Sequence, residues 1–195
     1  MNNIANIRKL FVVVDMVKGF VEIGPMSDKK IAKIVGVIKA LLKRFSADDQ
    51  GLAFVNDAHL PNSLEFQRYP THCLKDTEEA EIVDDLKLFE RQALVYEKNS
   101  TSAIFNDTFI NDLKKMILLD EVIIVGCCTD ICVLNLAIPL RNYFDQNDLD
   151  IKVTVLTDAV ETYHSDDHDR DEYNDIAFKL MKQAGILLRK SEVYL

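Results

Sequence analysis

Residues 121–133 read Glu-Val-Ile-Ile-Val-Gly-Cys-Cys-Thr-Asp-Ile-Cys-Val and contain the clearest structural signal in this chain. Four β-branched residues precede Gly126 without a charge among them, which is typical of a parallel strand covered on both faces. Gly126 predicts a turn, and a side-chain oxygen of Thr129 or Asp130 predicts the N-cap of a following helix. The pattern therefore places Cys132 near a helix N-terminus, at the sheet edge where open α/β folds bind ligands.

Cys132 is a candidate nucleophile because of this position. The positive end of a helix dipole favours a thiolate over a thiol, so a cysteine in the first turn gains reactivity from its backbone. A buried and inert cysteine is the alternative interpretation, since free cysteine is among the most buried residue types.

Composition narrows the classes of function. A chain of 195 residues is long enough for one domain with a substantial core, and we predict a single domain over residues 1–195. The formal net charge of -9 argues against nucleic-acid or anionic-membrane partners, which both reward clustered Lys and Arg. A small neutral or cationic substrate is the expected partner.

Two further features predict a cytoplasmic protein with reduced thiols. No run reaches the roughly 18 apolar residues of a membrane span, and the first residues do not resemble a signal peptide. The four cysteines are few and three of them are closely spaced, which does not fit a disulfide framework.

Hydrophobic patterns predict six strands that alternate with helices. The predicted strands cover residues 10–14, 52–55, 93–96, 121–126, 151–156 and 186–188. The first predicted helix runs from a cap at Ser27 or Asp28 to about Phe45, and two more cover residues 78–89 and 111–118. A fourth helix follows Cys132 and is expected to kink or end at Pro139. The last predicted helix covers residues 169–183 and ends before Gly185. A turn is predicted at residues 48–51. This alternation predicts one doubly wound, three-layer α/β/α domain with a mostly parallel sheet.

Polar side chains at three strand ends are expected to meet. Asp15, Lys98 and Cys132 follow the first, third and fourth strands, and parallel strands present their carboxyl ends at one edge of a sheet. A thiol that attacks an amide needs a base, a cation and oxyanion donors, which Asp15, Lys98 and the backbone N–H groups of Cys128 and Cys132 would supply. The alternatives are a strand-end or capping acid for Asp15 and a solvated surface lysine for Lys98.

Five segments of the chain carry a family resemblance. They are residues 15–20 (Asp-Met-Val-Lys-Gly-Phe), 56–59 (Asn-Asp-Ala-His), 72–73 with 77–81, 98–105 (Lys-Asn-Ser-Thr-Ser-Ala-Ile-Phe) and 126–133. In this order they resemble the isochorismatase-like cysteine hydrolases, and within them most closely the nicotinamidases. The resemblance implies a six-stranded sheet, the catalytic triad Asp15, Lys98 and Cys132, and a cis peptide between Cys127 and Cys128 that turns N–H groups toward the oxyanion. It also implies a homo-oligomer and a role in pyridine nucleotide biosynthesis.

A metal site is predicted in the long loop after the second strand. Asp57 and His59 lie on one side of an extended segment, His72 follows in the same loop, and Glu65 could complete the set. Carboxylate and imidazole ligands suit zinc, with iron and manganese as alternatives, although an Asp-x-His pair alone could equally be a loop hydrogen bond. The resemblance implies a metal at Asp57, His59 and His72, with a glutamate like Glu65 in some members, that holds the pyridine nitrogen of the substrate. Isochorismatases proper lack this set.

Three other aromatic side chains are candidates for a role in a site. Phe20 could stack on a substrate ring or simply be a core aromatic. His164 and His168 lie in the acidic run of residues 164–172, which we interpret as a solvated cap and loop, with a second metal site as the alternative.

The leading hypothesis is a metal-containing cysteine amidohydrolase that converts a small carboxamide, nicotinamide above others, to the acid and ammonia through a thioester. Another hydrolase of the same superfamily, such as an isochorismatase or a ureido or carbamoyl amidohydrolase, is the alternative. A third hypothesis is a catalytically silent binding or redox-sensing protein that uses Cys127, Cys128 and Cys132 as reversible thiols.

Overall fold

A six-stranded sheet organises the molecule, whose computed structural model describes residues 4–44 and 49–195. The strands are β1 (Lys9–Val14), β2 (Gln50–Asp57), β3 (Leu94–Lys98), β4 (Glu121–Cys127), β5 (Lys152–Glu161) and β6 (Leu187–Arg189). They are ordered β3-β2-β1-β4-β5-β6 and every neighbouring pair is parallel. The predicted doubly wound α/β fold is therefore confirmed, with a sheet that is parallel throughout.

Helices cover both faces of the sheet. They are α1 (Lys18–Val21), α2 (Lys33–Lys43), α3 (Asp84–Lys87), α4 (Asp107–Lys115), α5 (Leu134–Gln146) and α6 (Arg170–Gln183). Helices α1 to α3 pack on the face that carries Phe11 and Val13, and α4 to α6 pack on the face that carries Leu10, Val12 and Val14. Within the described ranges, no helix combines the length and the apolar character needed to cross a membrane.

The predicted strands are all present, and the largest difference lies in β5. This strand runs to Glu161, beyond the predicted end at 156, because it resumes pairing with β4 after a register shift between Ile124 and Gly126. The turn predicted at 48–51 is in part occupied by β2, which begins at Gln50, and Asp48 lies outside the described residues.

Several helix predictions were wrong in their limits. Residues 78–89 do not form one helix but a single turn at Glu78–Ala80 and the short α3, because Glu81 is extended between them. Helix α2 starts at Lys33 and its N-cap Ala32 has no side-chain bond, so Ser27 and Asp28 do not cap it. Its predicted end at Phe45 lies outside the described residues. The helix predicted over 111–118 covers Asp107–Lys115 and is capped by Asn106, which accepts from the Phe109 N–H.

Pro139 does not end α5, which continues to Gln146. The proline has no N–H for the carbonyl of Asn135 one turn earlier. The Ser102 hydroxyl donates to that carbonyl instead, at 2.5 Å. A residue of the loop after β3 thus satisfies the acceptor that the proline leaves open.

Gly126 lets β1 and β4 approach closely at their carboxyl ends. Its φ of +115° is unfavourable for other residues, and a Cβ atom there would lie 2.0 Å from the carbonyl oxygen of Val14. These two strands are the neighbours at which the strand order reverses, the place where such sheets bind ligands. The glycine therefore brings the residues after β1 and the residues after β4 to one point.

Candidate functional site

The three predicted reactive groups converge at this edge. The Lys98 ammonium lies 2.9 Å from Oδ2 of Asp15 and 3.7 Å from Sγ of Cys132. Its third contact is an ion pair with Oδ1 of Asp57, the last residue of β2. All four side chains are buried, so Lys98 is not a solvated surface lysine.

Asp15 sits in a strained backbone conformation beside Lys98. Its φ of +50° belongs to the left-handed region, which is uncommon for residues other than glycine and is found at functional sites. Oδ1 accepts from the Asp57 N–H at 2.7 Å, which leaves Oδ2 for Lys98. Burial and the neighbouring Asp57 carboxylate raise the pKa of Asp15 to about 6, although Lys98 opposes the shift. A carboxylate with this pKa is suited to accept and return a proton near neutrality.

Cys132 lies in a buried environment that disfavours the charged form of its thiol. Burial raises the pKa of Cys132 well above its ordinary value, although the Lys98 charge lowers it. The helix end was predicted to favour the thiolate, and burial of a side chain that is only 6% exposed acts against that effect. Chemistry at this sulfur therefore needs a base close by, and Asp15 is in place.

The turn that carries Cys132 differs from the predicted helix cap. Residues Thr129–Val133 form one π-helical turn before α5, and its N-cap is Cys128, without a side-chain bond from Thr129 or Asp130. The peptide between Cys127 and Cys128 is cis. The carbonyl of Cys128 accepts from the N–H groups of Ile131 and Val133 at 3.2 and 3.1 Å, which closes the turn beneath Cys132.

The predicted metal ligands form a second cluster next to the first. Asp57, His59, Glu65 and His72 are buried and each offers a ligand atom within 4.8 Å of the others. Oδ2 of Asp57 lies 3.5 Å from Nε2 of His59 and 3.9 Å from Nε2 of His72, and Oε1 of Glu65 lies 4.0 Å from Nε2 of His59. Oxygen and imidazole donors in this arrangement could hold a divalent metal ion.

The surroundings of both imidazoles orient them toward the centre of this cluster. Nδ1 of His59 lies 3.2 Å from the amide oxygen of Asn99, and Nδ1 of His72 lies 2.7 Å from the carbonyl of Pro70. An N–H at Nδ1 that donates to each of these oxygens would leave Nε2 to face the cluster, as in metal-bound histidines. Nε2 of His59 is buried without a hydrogen-bond partner, which fits a missing ligand bond. The residues therefore fit a metal ion.

A narrow cleft joins the two clusters. It is lined by Asp57, Glu65, His72 and Cys132, together with Phe20, Met26, Tyr69, Thr101, Cys128 and Ile131. Its volume of about 20 Å³ is close to that of a single water molecule. Met26 and Tyr69 are half-buried and also line an open groove of about 550 Å³ next to the cleft.

Phe20 belongs to both the core and the cleft. It is 5% exposed, and its ring centroid lies 5.4 Å from that of His72.

The cleft wall includes residues that sequence reasoning missed, among them Tyr69, three residues before His72. Asn99 was also missed, although it directly follows Lys98. A periodic pattern does not identify such residues, because they act from irregular loops.

The two remaining histidines have different environments. His164 is exposed, as predicted, but His168 is buried, so the interpretation of the whole run as solvated was wrong. The ring of His168 is stacked between the rings of Tyr163 and Tyr173, which removes it from water. The metal-ligand groups found among the described residues do not include either histidine.

Comparison with known proteins places these observations in a family. The isochorismatase domain family model matches residues 9–191. The chain is 29% identical over 150 residues to nicotinamidase 1 of Arabidopsis thaliana. The aligned region covers 68% of this chain but only 61% of the length of that relative.

Solved structures share the fold. The pyrazinamidase of Pyrococcus horikoshii, determined in complex with zinc, has a TM-score of 0.75 at 23% identity and covers 94% of this chain and 99% of its own. N-carbamoylsarcosine amidase from Thermoplasma acidophilum also has a TM-score of 0.75 at 23% identity, with 95% and 97% coverage. Since the family model extends over nearly the whole sequence and the sheet is the one that the resemblance implied, this chain belongs to the isochorismatase family.

Proposed function

We propose that this chain is a metal-containing cysteine amidohydrolase that converts nicotinamide, or a closely related aromatic carboxamide, to the acid and ammonia. The observation that carries the proposal is the pairing of two buried clusters on one cleft. Lys98, Asp15 and Cys132 form one of them, and the four metal-ligand candidates form the other. The nicotinamidase and the zinc-bound pyrazinamidase among the similar proteins support it.

In this proposal Asp15 acts first as a general base. Its carboxylate takes the proton of the Cys132 thiol while the sulfur forms a bond to the amide carbon and the carbonyl electrons move to oxygen. Lys98 stabilises the negative charge that passes between Asp15 and the sulfur. The backbone N–H groups of Cys128 and Cys132 are the proposed donors to the oxyanion.

The proton then returns to the leaving group. Asp15 protonates the amide nitrogen, the C–N bond breaks, and ammonia leaves a thioester on Cys132. Asp15, again a carboxylate, takes a proton from water as the water oxygen attacks the thioester. The acid is released, and the proton held by Asp15 goes back to the sulfur.

The second cluster would position the substrate. Asp57, His59, Glu65 and His72 would hold a divalent ion such as zinc, with iron or manganese as alternatives, and this ion would offer a coordination site to a ring nitrogen. Phe20 and Tyr69 lie on the cleft wall and would contact the faces of the ring.

The direct test is ammonia release by the purified protein from nicotinamide, pyrazinamide and an N-carbamoyl amino acid, compared at equal concentrations. We expect nicotinamide and pyrazinamide to be hydrolysed and the ureido compound to be left intact. Hydrolysis of the ureido compound alone would favour the alternative superfamily enzyme, and no hydrolysis of the three would contradict an amidohydrolase of this kind.

Replacing His72 by alanine is expected to remove most of the bound metal. The variant loses one of two imidazole donors, and the protein retains only one nitrogen ligand for the ion. The measurement is elemental analysis of protein dialysed against zinc at a fixed free concentration, with activity recorded on the same samples. His164→Ala, which removes an exposed imidazole from another loop, is the matched control and should keep the metal. Equal metal content in both variants would contradict the assigned ligand set.

A further inference from the structure

A buried histidine outside the site makes a full set of contacts. His168 is 6% exposed, and its ring is parallel to Tyr163 at a centroid distance of 3.9 Å and close to parallel to Tyr173 at 3.7 Å. Nδ1 lies 3.1 Å from the carbonyl of Tyr163, and Nε2 lies 2.8 Å from Oδ2 of Asp130. The ring is therefore fixed in its plane by hydrogen bonds and along its normal by stacking.

Asp130 belongs to the turn that carries the sulfur. It precedes Cys132 by two residues in the Thr129–Val133 turn, and both of its oxygens are engaged. Oδ1 accepts from the Thr162 hydroxyl at 2.5 Å, and Oδ2 faces His168. Both partners lie in the segment between β5 and α6, so Asp130 joins this segment to the turn after β4.

The partner segment is itself held in place. Arg170 donates from Nε to the carbonyl of Thr162 at 2.8 Å and forms an ion pair with Asp28. The Asp28 carboxylate also accepts from the backbone N–H of His164 at 3.1 Å. The segment from Thr162 to Arg170 is therefore a rigid support for Asp130.

We infer that His168 is a positioning residue that, through Asp130, holds the Thr129–Val133 turn so that the Cys132 sulfur stays in line with Lys98 and Asp15. None of the proposed chemical steps uses His168, and it does not line the cleft. Its effect is geometric, because the short turn transmits a displacement of Asp130 to Cys132 over two residues. The inference deepens the proposed function and rests on Cys132 being its nucleophile.

The effect of losing His168 on the rate follows from how strictly a nucleophile must be positioned. Without His168, Oδ2 of a side chain that is only 10% exposed loses its partner, and the turn relaxes to rehydrate it. A misplacement of about 1 Å at a nucleophile costs on the order of 100-fold in rate. We therefore expect kcat to fall by about 10- to 100-fold, with a smaller change in KM for nicotinamide, because Phe20, Tyr69 and His72 of the cleft wall lie outside this turn.

Two variants separate positioning from mere packing. His168→Phe keeps a ring between the two tyrosines but removes both nitrogens, whereas His168→Gln gives up the stacking and keeps an N–H donor within reach of Asp130. We expect the phenylalanine variant to lose more kcat than the glutamine variant, even if its melting temperature is the higher of the two. Asp167→Ala changes an exposed side chain of the same segment and is the control, which should behave as the wild type.

The second readout needs no knowledge of the substrate. The rate of Cys132 alkylation by iodoacetamide, followed by peptide mass spectrometry, should fall about tenfold in His168→Phe because the sulfur moves away from the Lys98 charge. A kcat and an alkylation rate like those of the wild type in that variant would overturn the inference. If the wild type does not hydrolyse nicotinamide, the proposed function fails, but the alkylation comparison still decides whether His168 positions this thiol.

Discussion

Replacing Cys132 by alanine is expected to lower ammonia release from nicotinamide by at least about 10⁴-fold, to the level of a site without a nucleophile. The reason is that the Cys132 sulfur lies 3.7 Å from the Lys98 ammonium and lines the cleft, where the thioester would form. The measurement is a steady-state assay at saturating nicotinamide, with a limit of detection set by the protein-free rate.

Metal content and a second thiol provide the controls. Cys132 is not among the four metal-ligand candidates, so the alanine variant should bind as much zinc as the wild type. Cys73→Ala removes another buried thiol, which does not line the cleft, and should retain activity. An alanine variant at position 132 with more than a few per cent of wild-type activity would refute the covalent route.

Replacing Lys98 by methionine is expected to abolish turnover and to destabilise the fold by about 3–5 kcal/mol, as the loss of one partner of a buried ion pair does. Methionine fills a similar volume but leaves the carboxylates of Asp15 and Asp57 buried without a cation. For a chain of this length the melting temperature should fall by about 6 °C or more, which differential scanning calorimetry measures.

The matched control is Lys75→Met. Lys75 forms an ion pair with Glu97 in which both side chains are about half exposed. Exposed pairs contribute about 0–1 kcal/mol, so the melting temperature should change little. Equal shifts for the two variants would contradict a buried cation at the centre of the site.

Local patterns predicted the strands well because each strand is a short apolar run with a polar residue at its end. Asp15 and Lys98 follow such runs, and a parallel sheet then brings them together whatever the loops do. The clustering of the metal-ligand candidates was predictable because Asp57 and His59 are close in sequence, His72 and Glu65 follow in the same loop, and the family resemblance supported the set. Asp15, Lys98 and Asp57 act from the ends of strands, whereas His59, Glu65 and His72 lie in the loop after β2.

Predictions failed where a distant partner decides the structure. Asp130 looked like a helix cap, but its carboxylate bonds to Thr162 and His168 from another segment. Pro139 was expected to kink or end the helix, but α5 continues to Gln146 and Ser102 satisfies the freed carbonyl. The rise in the pKa of Cys132 caused by burial was not predicted, because that burial depends on the whole packing around β4.

Asp57 serves both clusters, with Oδ1 on Lys98 and Oδ2 toward the imidazoles. In the proposed function, an exchange of Asp57 for a neutral ligand would remove a partner of Lys98 and a metal ligand together, and we expect relatives that bind a different metal to keep this aspartate. Oε1 of Glu65 faces Nε2 of His59, so a change at Glu65 is expected to alter the proposed metal ligands while the ion pairs of Lys98 stay in place.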